Sequence, residues 1–76
     1  MNLYAELIEQ VDLCIDYRWG YDPDEMKGLL QIDLQEKTYR ILVYPDGPRH
    51  MSRIESFANR ILRECLSGNV VADLSV

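Results

Sequence analysis

Leu3-Tyr4-Ala5-Glu6-Leu7-Ile8-Glu9-Gln10-Val11-Asp12-Leu13-Cys14-Ile15-Asp16-Tyr17-Arg18-Trp19-Gly20 supports two readings, and the fold turns on which is right. In the first, Asn2 is an N-cap and Leu3, Leu7, Ile8, Val11, Cys14 and Ile15 form one helical stripe opposite Glu6, Glu9, Asp12 and Asp16. Gly20 then offers a helix-ending position, with Pro23 three residues beyond. In the second, a short helix ends near Gln10, and Val11, Leu13, Ile15, Tyr17 and Trp19 alternate with polar residues as a strand. No Gly, Pro or Asn interrupts the chain between Glu9 and Asp12, which favours a continuous helix from about Leu3 to Trp19.

Downstream, Tyr21-Asp22-Pro23-Asp24-Glu25 reads as a loop or one helical turn, with Asp22 as cap and Pro23 at the first position. Leu30, Ile32 and Leu34 alternate with polar neighbours. After Glu36-Lys37 the alternation resumes at Tyr39, Ile41 and Val43, which predicts an antiparallel hairpin. Tyr44-Pro45-Asp46-Gly47-Pro48 is a turn. It leads into an amphipathic helix whose apolar stripe is Ile54, Phe57, Ala58, Ile61, Leu62, Cys65 and Leu66. Ser52 and Glu55 stand in capping-box spacing, and Gly68 is placed to close the helix. Asn69–Val76 is a third strand or a frayed tail.

The expected fold is therefore α+β in a single small domain spanning 1–76: helix, β-hairpin, helix and a short C-terminal strand or tail. Both helices pack on one face of a small antiparallel sheet, against Leu30, Ile32, Leu34, Tyr39, Ile41 and Val43. The outer face keeps Leu29, Leu42 and Tyr44, more apolar than a solvated surface needs. Either the C-terminal segment or another chain must cover them.

Seventy-six residues allow one modest core that buries only ~60% of the unfolded surface, so a partner would help. An apolar content of 47% and a charged content of 28% argue against wholesale disorder. No apolar run approaches the ~20 residues of a membrane span, and no basic-then-apolar leader opens the chain, so a cytoplasmic setting is expected. Cys14 and Cys65 fit no metal spacing and read as small buried hydrophobes, or as a disulfide if their helices pack together.

The net charge of −5 disfavours direct nucleic-acid binding. Its distribution is polarised: residues 1–36 carry nine acids against Arg18 and Lys27, whereas residues 37–76 carry six bases against four acids. Candidate partner-binding residues are the acids Asp12, Asp16, Asp22, Asp24 and Glu25 with the aromatics Tyr17, Trp19 and Tyr21, since Trp and Tyr dominate binding hot spots. A solvated acidic face and ordinary core packing are the plainer accounts of the same residues. Asp22–Glu25 lacks the spacing and central glycine of a calcium loop.

Arg49, His50, Arg53 and Arg60 form a candidate anion-binding edge at the start of the C-terminal helix, although a solvated basic face would look the same. One histidine, no nucleophile motif and no metal pair leave no catalytic constellation, and no cofactor or metal is implied. The leading expectation is a non-enzymatic protein-binding module, an acidic inhibitor or adaptor facing a basic partner surface. The layout is similar to that of phage- and plasmid-type inhibitors and toxin-neutralising proteins, and the acidic face would block a nucleic-acid-binding target by charge mimicry. The alternatives are a structural homo-oligomer or assembly subunit, and a regulator applying the Arg49–Arg63 edge to nucleic acid.

Overall fold

The structure, a computed structural model, describes residues 2–76. Its elements run β1 (Tyr4–Val11), β2 (Cys14–Gly20), β3 (Gly28–Asp33), β4 (Thr38–Val43), α1 (Met51–Leu66) and β5 (Asp73–Ser75). The five strands form one antiparallel sheet in the order β4-β3-β2-β1-β5. The chain meanders through four strands, crosses one face of the sheet as α1, and returns as β5 on the far edge. The helix–hairpin–helix arrangement is therefore wrong: one helix packs on a five-stranded sheet.

The expected N-terminal helix is the hairpin β1–β2, with Val11 facing Cys14 across a two-residue turn. Two local features disguised it. Leu3, Ala5 and Leu7 alternate inward as a strand should, but the register slips between Leu7 and Glu9. The extra residue, Ile8, breaks the period of two and leaves Leu3, Leu7, Ile8 and Val11 at helix-like spacing. The turn needs no glycine because Asp12 itself adopts a left-handed φ of 53°, which a short polar side chain tolerates. The rival strand reading of residues 11–19 was closer, but the short helix it placed before the strand is also strand.

The second hairpin, β3–β4, stands where the alternation puts it. Its turn is stabilised by Asp33, whose Oδ1 accepts hydrogen bonds from the backbone N–H groups of Gln35 (3.0 Å) and Glu36 (3.1 Å), while Lys37 takes a φ of 56°. A second register shift lies opposite Leu29 and Leu30, where Leu29 pairs with Val43 and Leu30 with Ile41. Leu42 is the inserted residue. The slip turns Val43 to the outer face, against expectation, and brings Tyr44 into edge-on contact with Trp19 at 6.1 Å. Tyr44 is thus a core-side residue and not an outer-face one.

α1 begins at Met51, one residue before the expected cap. Its N-cap is His50 in a left-handed conformation with no side-chain cap bond, so Ser52 and Glu55 lie inside the helix and the capping box does not form. The C-terminus closes as anticipated. Gly68 has φ 90°, its N–H donates to the Cys65 carbonyl, and the Asn69 N–H donates to the Glu64 carbonyl, which is the paired bonding of a Schellman stop.

The core lies between α1 and the inner face of the sheet. Leu3, Ala5, Ile15, Tyr17, Trp19, Leu30 and Ile32 meet Ile54, Phe57, Ala58, Ile61, Leu62 and Cys65. Trp19 lies across Gly28, where an added Cβ would come within 2.5 Å of the indole nitrogen. Tyr17, fully buried, donates its hydroxyl to the Val71 carbonyl at 2.7 Å and lies 3.8 Å from the Cys65 sulfur. That bond holds the segment after α1 against the inner face, and β5 then pairs with β1. The C-terminal segment therefore extends the sheet sideways and does not cover its outer face.

Candidate functional site

One end of the outer face is occupied by the loop after β2. Asp22 caps the turn there, its Oδ1 accepting from the Asp24 N–H at 2.9 Å, and the loop folds back so closely that a Cβ on Gly20 would stand 3.0 Å from the Glu25 carbonyl oxygen and the Met26 Cα. Beyond that loop the outer face is open. Ile8, Leu29 and Leu42 are 43%, 39% and 54% exposed and line a shallow cleft of about 150 Å³ together with Asp16 and Gln31. Both register slips contribute to it, because Ile8 and Leu42 are the inserted residues of β1 and β4.

The polar groups around this cleft are ordered by the sheet. Gln31 Nε2 donates to Asp16 Oδ1 at 3.1 Å across β2 and β3. Arg18 and Glu6 approach to 4.0 Å across β1 and β2, half-exposed and worth little by themselves. Cys14 lies on the same face at partial exposure. Its thiol is pushed above its ordinary value by desolvation first, then by the carboxylates of Asp16 and Asp33, against an opposing effect of Arg40. Cys65 is on the helix, on the other side of the sheet, so both cysteines are free and only Cys65 is a buried hydrophobe.

The candidate partner-binding set does not form one surface. Tyr17 and Trp19 are core residues, 0% and 1% exposed, out of reach of any partner. Asp12 sits in the β1–β2 turn, while Asp22, Asp24 and Glu25 follow the opposite end of the seven-residue β2, roughly 20 Å away at strand spacing. Of the set, Asp16 and the fully buried Tyr17 line the open cleft, and Asp16 is the accessible one of the two. Tyr21 is half-buried, with its ring edge-on to Trp19 at 5.9 Å.

The candidate anion set divides in two. Arg53 and Arg60 join Arg63 and Ser56 along one flank of α1, over a cavity of about 310 Å³ floored by Leu3, Phe57 and Val76. Arg49 and His50 instead line a separate recess of about 230 Å³ with Tyr21 and Asp46. The Tyr21 hydroxyl is pushed above its ordinary value by desolvation first and by the Asp46 carboxylate second. Among the described residues, no three His, Cys, Asp or Glu side chains are grouped to hold a metal ion, and no helix is long and apolar enough to cross a membrane.

The sequence pointed to Leu29 and Leu42 as outer-face residues. It missed Ile8, which a helical stripe had claimed, and Arg40, whose place beside Gln31 depends on strand register. Ile8 reaches this face through the register shift in β1 and Arg40 through the pairing of β4 with β3, and no local pattern in the sequence signals either. No protein-family model, curated protein or solved structure matches the chain.

Proposed function

We propose that this protein is a non-enzymatic protein-binding module and that the open face of its sheet is the contact surface. The observation that supports this most strongly is the exposure of Ile8, Leu29 and Leu42 on one face of a sheet whose single helix lies on the other. Isolated exposed apolar residues are ordinary, but three around one cleft with a polar margin form the layout of a small interface, with an apolar centre and a charged rim. A 76-residue domain also gains more than a large one from covering such a face.

The acidic half of the chain contributes differently from the initial expectation. Asp16 lines the cleft and Glu9 pairs with it across β1 and β2, so a partner presents basic groups there. The test is affinity capture from the native host's lysate with two baits, the wild type and Leu29→Lys/Leu42→Lys. Both positions are exposed, so the variant keeps its fold by circular dichroism. Proteins retained by the wild type and lost by the variant support the reading. The same proteins retained by both overturn it.

A further inference from the structure

The open face carries a charge gradient set by cross-strand register. Arg40 of β4 pairs with Gln31 of β3, Gln31 with Asp16 of β2, and Asp16 with Glu9 of β1. Residues paired in this way project to the same face of a sheet, so one row runs from a cation, through an amide, to two carboxylates. The inserted residues Leu42 and Ile8 stand next to the two ends of that row, on β4 and β1 respectively, with Leu29 between them.

We infer that the occupant of this face is a second copy of the chain, related by a two-fold axis parallel to the strands and passing between β2 and β3. The inference rests on the reading of this face as a protein-binding surface and names its partner. Rotation about that axis lays β4 of each copy over β1 of the other, and β3 over β2. Arg40 then stands against Glu9 of the second copy, and Leu42 against Ile8 of the second copy, each contact occurring twice because the interface is isologous.

The other in-plane two-fold, perpendicular to the strands, lays β4 on β4 and β1 on β1. It brings Arg40 towards Arg40, and Glu9 and Asp16 towards the same acids, so charge selects the first arrangement over the second. Two aligned sheets pack ≈10 Å apart, a gap that Ile8, Leu29 and Leu42 from both copies fill. The apolar contacts supply the affinity. The Arg40–Glu9 pairs, lying towards the edge of the interface, set its register.

The experiment is sedimentation equilibrium on the purified full chain, wild type against Arg40→Glu, Glu9→Arg, the double variant carrying both, and Leu42→Lys. The expected result is a dimer whose dissociation constant rises about tenfold or more in each single charge reversal and returns to within about threefold of wild type in the double reversal. Leu42→Lys yields a monomer with an unchanged circular dichroism spectrum. A wild type that stays monomeric at every concentration overturns the inference, as does a dimer that the single reversals leave intact or the double reversal fails to restore. Failure of the self-pairing is distinct from failure of the binding surface. A monomer that loses its lysate proteins in Leu29→Lys/Leu42→Lys sinks the second copy alone, whereas lysate capture indifferent to that variant sinks the surface itself.

Discussion

The two faces of this sheet are built from the same strands and do opposite work. Within β2, Ile15, Tyr17 and Trp19 are fully buried beneath α1, while Cys14, Asp16 and Arg18 face the other way and remain accessible. Within β3, Leu30 and Ile32 are buried while Leu29 is exposed. Apolar character alone therefore does not tell which face is core. The inner face carries large side chains interlocked with one another and with a helix, whereas the outer face carries apolar side chains spaced among charges.

The largest separation between the faces is expected from truncating one side chain on each. Trp19→Ala should cost about 3–5 kcal/mol, a large fraction of the stability of any small domain, because a buried indole and its packing against Tyr21 and Tyr44 are lost. Leu29→Ala, on the opposite face of the neighbouring strand, should cost within about 0.5 kcal/mol in the monomer. Urea unfolding of both variants checks the pair, and equal costs would break the comparison.

Next is the glycine pair. Gly28→Ala drives a methyl into the Trp19 indole, which is held on all sides, and should cost about 1–3 kcal/mol. Gly20→Ala meets the backbone of the loop at Glu25 and Met26, on the outer face, where the loop can lift at smaller cost. Thermal unfolding of the two alanine variants orders them.

A third test uses alkali. Burial raises the Tyr17 hydroxyl well above its ordinary range, and desolvation likewise raises the Cys65 thiol. Both groups are thus kept protonated in the folded state, so their contribution to stability is complete below the unfolded values and lost as pH rises beyond them. The loss should begin near pH 9 with Cys65 and steepen above pH ~10 with Tyr17, each group adding a slope of up to about 1.4 kcal/mol per pH unit. Tyr17→Phe should reduce the later component, leaving the share of Tyr21 and Tyr39, whose hydroxyls burial also raises, while costing ~1 kcal/mol at neutral pH through the lost bond to the Val71 carbonyl. Denaturant titrations from pH 7 to 11 on both proteins read this directly.

The smallest effect concerns the helix stop. Gly68→Ala places a side chain at φ 90° where nothing crowds it, so only backbone strain opposes the change, and about 1 kcal/mol is expected.

Legibility followed locality. The α1 stripe and its Gly68 stop were readable because a helix repeats its pattern within a few residues, and β3–β4 was readable because the alternation over residues 30–32 and 39–41 is equally local, although the slip at Leu42 was not. The β1–β2 hairpin was misread because its evidence for strand is interrupted by one inserted residue, and because its turn uses Asp12 where Gly or Asn would have announced it. Among the candidate site residues, Asp16 is the accessible one that lines the open cleft. In the sequence, Tyr17 and Trp19 fit both a surface anchor and a core residue, because aromatic area is large for so short a chain; the structure makes them core. A five-stranded sheet has more inner face to fill than a two-stranded one, and that demand absorbs them.

Asp12 and Asp16, which a helix would set on one polar face, are separated by that hairpin: Asp16 lies with Cys14 on the outer face, and Asp12 lies in the turn on neither. By itself, the sequence determined the class α+β, the C-terminal helix with its buried stripe and glycine stop, the second hairpin, and the place of Leu29 and Leu42 on the outer face. Only the tertiary structure decided that β5 goes to the edge of β1, that the two inserted residues Ile8 and Leu42 flank one cleft, and that Arg40, Gln31, Asp16 and Glu9 align in a single row. Each of these depends on strand order and register, which are set by which apolar faces bury together across the whole chain, and no local window of sequence contains that information.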